Sequence, residues 1–199
     1  LELPWTGVVC LAGGYAELEG RIVRNAAMSP GLLQRLAPYL EQSDEVIRFE
    51  GLDRVVRMSA DAPETYGYAR TVGDAVTKLK HYSAYKILMS TKLANRIAQD
   101  KEIEPLLCFN ELELEVTEIS PRECTKRTGI QAVLGALGPS HGTVYGIGDA
   151  SNDVALMETV DVGIAMGNAP DFLKEKADYV TDSIDHDGVV TALEHFGLI

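Results

Sequence analysis

The chain has few basic residues for its length. Its 18 lysines and arginines are set against 30 aspartates and glutamates, which gives a formal net charge of −12. A nucleic-acid partner is therefore disfavoured, because a phosphate backbone requires a basic surface. No apolar run is long enough to cross a bilayer, and the residues from Leu1 to Trp5 do not resemble a signal peptide. We therefore expect a cytoplasmic protein that does not associate with membranes.

Cysteine is also scarce, with Cys10, Cys108 and Cys124 far apart and no C-x-x-C pair. An odd number of widely spaced thiols argues against both a disulfide framework and a structural zinc site. The four histidines show no metal-ligand spacing either. What the chain does contain is 46% hydrophobic residues, enough for a packed core.

The apolar segments predict two kinds of architecture. The middle of the chain shows a helix over 31–41 after Ser29-Pro30, followed by several alternating segments typical of an antiparallel sheet. After Ile119, helices and strands alternate, which predicts a parallel, doubly wound sheet. The sequence thus indicates one α/β domain built from both ends of the chain, with an α+β insert between them.

Several individual elements are predicted from the same patterns. Strands are expected at 8–12 and 19–23, and two more at 106–109 and 112–116, the last with strict alternation. A helix capped by Thr125 is expected over 126–137.

The segment Gly148-Asp149-Ala150-Ser151-Asn152-Asp153 carries the clearest chemical signal. It follows an apolar strand and precedes an apolar helix, so it is predicted to lie at the carboxyl end of a parallel strand, where ligands bind in such sheets. Asp149 and Asp153, one helical turn apart, can both reach a divalent cation such as Mg²⁺, and Asn152 can orient a carboxylate or ligand. The alternative is a turn followed by an ordinary Asn/Asp helix cap.

The region around this segment resembles the Cof-type branch (subfamily IIB) of the haloacid dehalogenase (HAD) superfamily. Four pieces match in order and spacing: GDASND, VGIAMGNA, KADYVT and DHDGV. The stretches EISPRECTKRTGIQAVL and GVVCLAGGY match more weakly. The resemblance implies a Rossmann-like core from residues 1–21 and 118–199, with an inserted α/β cap over 22–117.

The resemblance also implies an activity. Such proteins are Mg²⁺-dependent phosphatases that act on small phosphorylated metabolites, often sugar phosphates, through an aspartyl-phosphate intermediate. By this similarity Asp149 and Asp153 would be metal ligands and Lys126 the catalytic residue that holds the phosphate. Asn152 and Asn168 would contact substrate or phosphate. Arg127, the next residue, is an alternative candidate for the role of Lys126. Asn168 could equally be a turn residue before Pro170.

The chain departs from the family pattern in one important respect. The apolar strand ending in D-x-D-G-T, which carries the nucleophile, is not found near Leu1, so we expect the nucleophile to be absent and the chain inactive as given. The only D-x-D-G, at 185–188, is interpreted as a turn before the last helix. Gly13-Gly14 replaces the usual Asn-Gly after the first strand.

Two alternatives remain open at this point. A shortened, non-catalytic binder of a phosphorylated ligand or partner would have open sheet edges that need covering. A sugar phosphomutase would transfer phosphate within a sugar instead of releasing it. The sequence leaves the substrate and the oligomeric state undetermined.

Overall fold

The computed structural model describes residues 6–112 and 114–199, which form three sheets and seven α-helices within that part of the chain. The strands are β1 (Gly7–Cys10), β2 (Tyr15–Leu18), β3 (Arg21–Asn25), β4 (Ile47–Glu50), β5 (Val55–Met58), β6 (Tyr68–Ala69), β7 (Lys86–Ser90), β8 (Leu107–Glu111), β9 (Val116–Pro121), β10 (Tyr145–Gly148), β11 (Val162–Ala165) and β12 (Tyr179–Val180). The helices are α1 (Pro30–Leu40), α2 (Val72–Thr77), α3 (Thr91–Ala98), α4 (Lys126–Leu137), α5 (Val154–Met157), α6 (Asp171–Lys174) and α7 (Gly188–His195).

The largest sheet has six strands in the order β6-β5-β4-β7-β9-β8, and all its pairings are antiparallel except β5 with β6. Its apolar face packs against α1, α2 and α3 in one continuous core. Helix α1 is an example. Ser29 Oγ accepts the Leu32 N–H at 3.2 Å at its start, and its buried face carries Leu32, Leu33, Leu36 and Leu40. Each fully buried leucine contributes roughly 1.5–3 kcal/mol. We call this unit the cap sheet.

The C-terminal sheet is parallel, with the order β10-β11-β12. Helix α5 connects β10 to β11, and α6 connects β11 to β12. This is the helix–strand alternation that the sequence predicted for a parallel α/β core. Among the described residues β10 pairs only with β11, so its other edge carries no strand.

A third sheet, β1-β2-β3, is antiparallel and lies where the chain enters the cap sheet. Arg24 on β3 ties this region to the point where the chain returns. Its Nε donates to the Gly13 carbonyl at 2.8 Å, and its Nη2 donates to the Glu123 carbonyl at 2.7 Å. The two segments that join the cap sheet to the rest of the chain are therefore held together.

Helix α4 packs against this small sheet. It begins as predicted, because Thr125 Oγ1 accepts the Thr128 N–H at 3.2 Å while Thr128 Oγ1 accepts the Thr125 N–H at 3.1 Å. Its contact with the turn after β1 is very close. A Cβ added at Gly129 would lie 2.8 Å from the Gly13 Cα and 2.4 Å from a methyl group of Val9. Gly13 itself has φ +80°, a conformation that favours glycine.

Some predicted elements differ from the structure. The single strand expected at 19–23 is a hairpin, β2 and β3, that turns at Glu19-Gly20, and both turn residues have positive φ. The strand expected at 112–116 is wrong where the structure describes it, because Leu114 and Glu115 are left-handed turn residues and the strand starts at Val116. Position 113 of that prediction lies outside the described residues.

The predicted core and cap ranges, 1–21 with 118–199 and 22–117, remain a prediction, and positions 1–5 lie outside the described residues. Strand β9 crosses the boundary at 117/118 and pairs with two cap strands along its length. In the described part of the chain, every helix is too short or too polar to traverse a bilayer.

The close approach of α4 gives a matched pair of substitutions in one helix. Gly129→Ala forces a methyl group into backbone atoms, so we expect a loss of about 1–3 kcal/mol in the free energy of unfolding. Gly135→Ala lies in the same helix with no atom within 4 Å of the added carbon, and we expect a gain of about 0.5–1 kcal/mol. Urea unfolding of both variants measures the difference. Equal effects at the two positions would contradict the packing described.

Candidate active site

The turn after β10 is organised by the carboxylate of Asp153. Its Oδ2 accepts the backbone N–H groups of Asp149 and Ala150, both at 3.1 Å. Asp153 is only 6% exposed, so these donors satisfy a carboxylate that would otherwise be buried without partners. Gly148 permits the arrangement, because a Cβ there would lie 2.6 Å from the Asp153 Cβ.

The side chain of Lys126, the first residue of α4, reaches this turn. Its Nζ contacts Asp153 Oδ1 and donates to Asn152 Oδ1 at 3.0 Å. An ammonium group has three donors, so one N–H remains for another acceptor. The structure thus brings together three of the five predicted site residues.

The remaining predicted residues lie in different surroundings. Asp149 begins the turn, and its exposed side chain forms no ion pair within the described residues. Asn168 does not line the cavity described below. Its side-chain oxygen accepts the Ile184 N–H at 3.0 Å, which holds the loop before α7. Arg127 pairs with Glu158 at 2.6 Å and not with the turn carboxylates.

The D-x-D-G sequence at 185–188 lies in the turn before α7, as the sequence analysis proposed. Asp187 adopts a left-handed conformation with φ 53°, and Gly188 begins the helix. A Cβ on Gly188 would lie 2.0 Å from the Asp182 carbonyl oxygen. These residues do not line the cavity.

Lys126, Asn152 and Asp153 open into a cavity of about 710 Å³. Its apolar lining includes Val9 on β1, Ile130 on α4, Ile147 on β10 and Leu156 on α5, which are half-buried. Its polar lining includes residues of the cap sheet. A volume of this order suits a small-molecule ligand.

The cap sheet also contributes residues to the cavity, and these were not predicted from the sequence. They are Lys86 on β7, Cys108 and Asn110 on β8, and Glu118 on β9. The available signal was partial: Asn110 in β8 and Glu118 and Ser120 in β9 follow apolar-polar alternation, which marks a second, wetter face, whereas β7 has Leu88 on that face.

Lys86 is held in an ionic cluster on that face. Its Nζ lies 2.5 Å from Glu118 Oε2 and 3.2 Å from Glu50 Oε2. Burial by itself lowers the pKa of Lys86, but the hydrogen bonds and charges of Glu118 and Glu50 outweigh it, so the pKa is raised. Lys86 is therefore a cation at neutral pH.

Besides Cys108, two further thiols border the cavity, Cys10 and Cys124. Burial raises the pKa of both, so both are protonated at neutral pH. Because the thiolate is the reactive form, neither is suited to act as a nucleophile.

The donor set fits magnesium better than zinc. In the part of the chain that the structure describes, no group of three or more His, Cys, Asp or Glu side chains is arranged to hold a metal ion. Zinc sites require at least three such ligands, whereas Mg²⁺ is commonly held by one or two carboxylates together with water and substrate oxygens. Asp149 and Asp153 meet that smaller requirement.

The model of the haloacid dehalogenase-like hydrolases matches residues 1–193 of the sequence. The chain belongs to this family, and the predicted membership is confirmed. It is 28% identical over 206 residues to YkrA of Bacillus subtilis, an alignment that covers all of this chain and 78% of that protein.

Other relatives match over shorter stretches. The 5-amino-6-(5-phospho-D-ribitylamino)uracil phosphatase YcsE of Bacillus subtilis is 39% identical over 93 residues, which is 43% of this chain and 37% of that enzyme. The phosphoglycolate phosphatase of Archaeoglobus fulgidus is 40% identical over 81 residues, 41% of this chain and 36% of that enzyme.

Solved structures share the fold. The subclass IIB sugar phosphatase BT4131 superposes with a TM-score of 0.76 at 19% identity, covering 98% of this chain and 76% of that one. TM0651 of Thermotoga maritima gives a TM-score of 0.74 at 16% identity, covering 92% and 73%. The predicted fold class, an α/β core with an inserted cap, is confirmed.

The two aspartates of the turn should differ in their effect on stability. Asp153→Asn replaces an acceptor with an amide that presents N–H groups to existing donors, so we expect a loss of about 1–3 kcal/mol in the free energy of unfolding. Asp149→Asn changes an exposed carboxylate and should alter it by less than about 0.5 kcal/mol. Urea unfolding without divalent cations measures both values. A larger loss at position 149 would contradict the hydrogen bonding described.

Proposed function

We propose that the protein hydrolyses phosphate monoesters of small metabolites, with sugar phosphates as the substrate class, and that it uses Mg²⁺. The observation that carries this proposal is the meeting of Lys126, Asn152 and Asp153 at the carboxyl end of a parallel strand, inside a cavity. The activities of the relatives support it, since two of those described above are phosphatases of small phosphorylated compounds.

Lys126 is assigned to the phosphoryl oxygens. Its free N–H can donate to one of them, and its charge offsets the negative charge that accompanies phosphoryl transfer. Contacts with Asn152 and Asp153 fix the ammonium group before a ligand arrives. Such preorganisation makes the electrostatic stabilisation effective. Asn168 is retained as a candidate substrate contact, although its side-chain oxygen holds the Ile184 N–H.

Asp149 and Asp153 would hold the Mg²⁺ ion. When bound, the ion neutralises phosphate charge and aligns the ester with the attacking group. Asp153 would share its carboxylate between the ion and the contacts already described, while Asp149 would contribute its exposed oxygens directly.

The reacting nucleophile is proposed to be an aspartate from outside these 199 residues. Both oxygens of Asp153 already have partners, which makes it a poor attacking group. Among the described residues, β10 has an edge without a paired strand next to the cavity. A strand added there would end beside the Asp149–Asp153 turn if it ran parallel to β10.

Turnover by the 199-residue chain provides the first test. We expect no Mg²⁺-dependent release of phosphate from p-nitrophenyl phosphate or hexose phosphates, because the attacking aspartate is proposed to lie outside the chain. A colorimetric phosphate assay measures this. Mg²⁺-dependent turnover that is lost in Asp153→Ala would disprove the assignment of the nucleophile to a residue outside the chain.

Binding provides the second test, and it does not depend on turnover. In calorimetry with Mg²⁺, inorganic phosphate should bind the chain, and Lys126→Ala should weaken binding at least about tenfold through loss of a charged hydrogen bond. Arg127→Ala is the matched control, because Arg127 pairs with Glu158. Asp149→Asn should reduce the enhancement that Mg²⁺ gives. Equal losses in the Lys126 and Arg127 variants would refute the role of Lys126.

A further inference from the structure

The charged cluster of the cap sheet lies on the face opposite its helices. Registers between the strands place Glu50 opposite Lys86, and Asn110 opposite Glu118. The helix-packed face carries Phe49, Ile87 and Ile119 at the intervening positions. The cluster is thus built by residues that are adjacent only in the folded sheet.

The cluster is costly to bury. Glu118 is 8% exposed, and Lys86 retains 18% of its side-chain exposure. A buried ion pair contributes little to stability, because desolvation offsets much of the attraction between the charges. Ser120, which follows on the same face of β9, has a buried hydroxyl without a hydrogen-bond partner in the described part of the chain. The polar residues on this face of the cap sheet are therefore poorly explained by a contribution to stability alone.

The position of the cluster suggests a ligand instead. Lys86, Asn110 and Glu118 line the same cavity as Lys126 and Asp153. Asn110 makes two long hydrogen bonds: its Nδ2 donates to Glu118 Oε1 at 3.5 Å, and its Oδ1 accepts from Cys108 Sγ at 3.8 Å. A phosphate ester that contacts Lys126 would leave the rest of the molecule facing these side chains.

The chemistry of the cluster favours hydroxyl groups. Carboxylates accept from O–H, an ammonium donates to its oxygen, and an amide does both. Glu50, Lys86 and Glu118 together leave one net negative charge in a partly buried place. A second phosphate there would be repelled, since like charges interact strongly where water is partly excluded.

We propose that Lys86, Asn110 and Glu118 bind the hydroxyl groups of the leaving group, so that the preferred substrate is the monophosphate of a sugar or polyol and not its bisphosphate. This inference rests on the proposed function, because it assigns a role to further residues that line the same cavity.

Phosphonate analogues test the inference without turnover, because their P–C bonds are not hydrolysed. Calorimetry with Mg²⁺ compares methylphosphonate, a hexitol 6-phosphonate and the corresponding hexitol 1,6-bisphosphonate. The hexitol phosphonate should bind the chain roughly tenfold or more tightly than either of the others, as expected for charged hydrogen bonds to hydroxyl groups.

Two variants and one control locate the effect. Glu118→Gln and Asn110→Ala should each remove most of the advantage of the hexitol phosphonate and leave methylphosphonate binding unchanged. Asn110→Ala removes only two long hydrogen bonds, one from Asn110 Nδ2 to Glu118 and one from Cys108 Sγ to Asn110 Oδ1, so its fold is expected to be retained. Glu104→Gln is the matched control, since Glu104 pairs with Arg122 at 3.4 Å in the same sheet region but outside the cavity.

The outcomes separate the two hypotheses. Equal affinity of the unmodified chain for methylphosphonate and the hexitol phosphonate would overturn the assignment of Lys86, Asn110 and Glu118, while the proposed function would stand. The same conclusion would follow if both variants still bound the hexitol phosphonate more tightly than methylphosphonate. A bisphosphonate that binds as tightly as the hexitol phosphonate would also overturn it. Failure to bind methylphosphonate at all would remove the proposed function, and this inference with it.

Discussion

The carboxylate of Asp153 is the contact on which the candidate site depends. One oxygen accepts two backbone N–H groups and shapes the turn after β10, and the other contacts the ammonium group of Lys126. A single buried side chain thus sets the conformation of a turn and the position of a helix residue 27 places earlier in the chain. A buried carboxylate without hydrogen-bond partners costs free energy, so each partner of Asp153 stabilises the position of the others.

The residues that line the cavity come from two parts of the chain, and the two groups differ in their chemistry. The parallel sheet and α4 contribute the cation and carboxylates suited to phosphate and magnesium, and the cap sheet contributes the ionic cluster around Lys86. A chain with a net charge of −12 would repel an anionic ester in general. Lys126 supplies a local positive charge beside the Asp149–Asp153 turn, whereas the cluster around Lys86 keeps one net negative charge because Lys86 is paired with both Glu50 and Glu118.

The sequence predicted features that depend on neighbours along the chain. The start of α1 at Ser29-Pro30 and the turn from Asp149 to Asp153 each follow from spacing within a few residues. It failed for the strand at 112–116, where alternation suggested strand but two left-handed residues form a turn. It also missed the cap cluster, whose members come from four strands and meet only through strand register. The position of Lys126 came from family resemblance and not from any local pattern.

The packing of Gly13 against Gly129 limits which side chains these two positions can hold. Neither residue carries a functional group, yet α4 approaches the turn so closely that a methyl group would meet backbone atoms. Lys126 lies one turn from Gly129 in the same helix. These two positions are therefore restricted by volume, and a larger side chain there would displace α4, and with it Lys126, although it adds no new chemical group to the site.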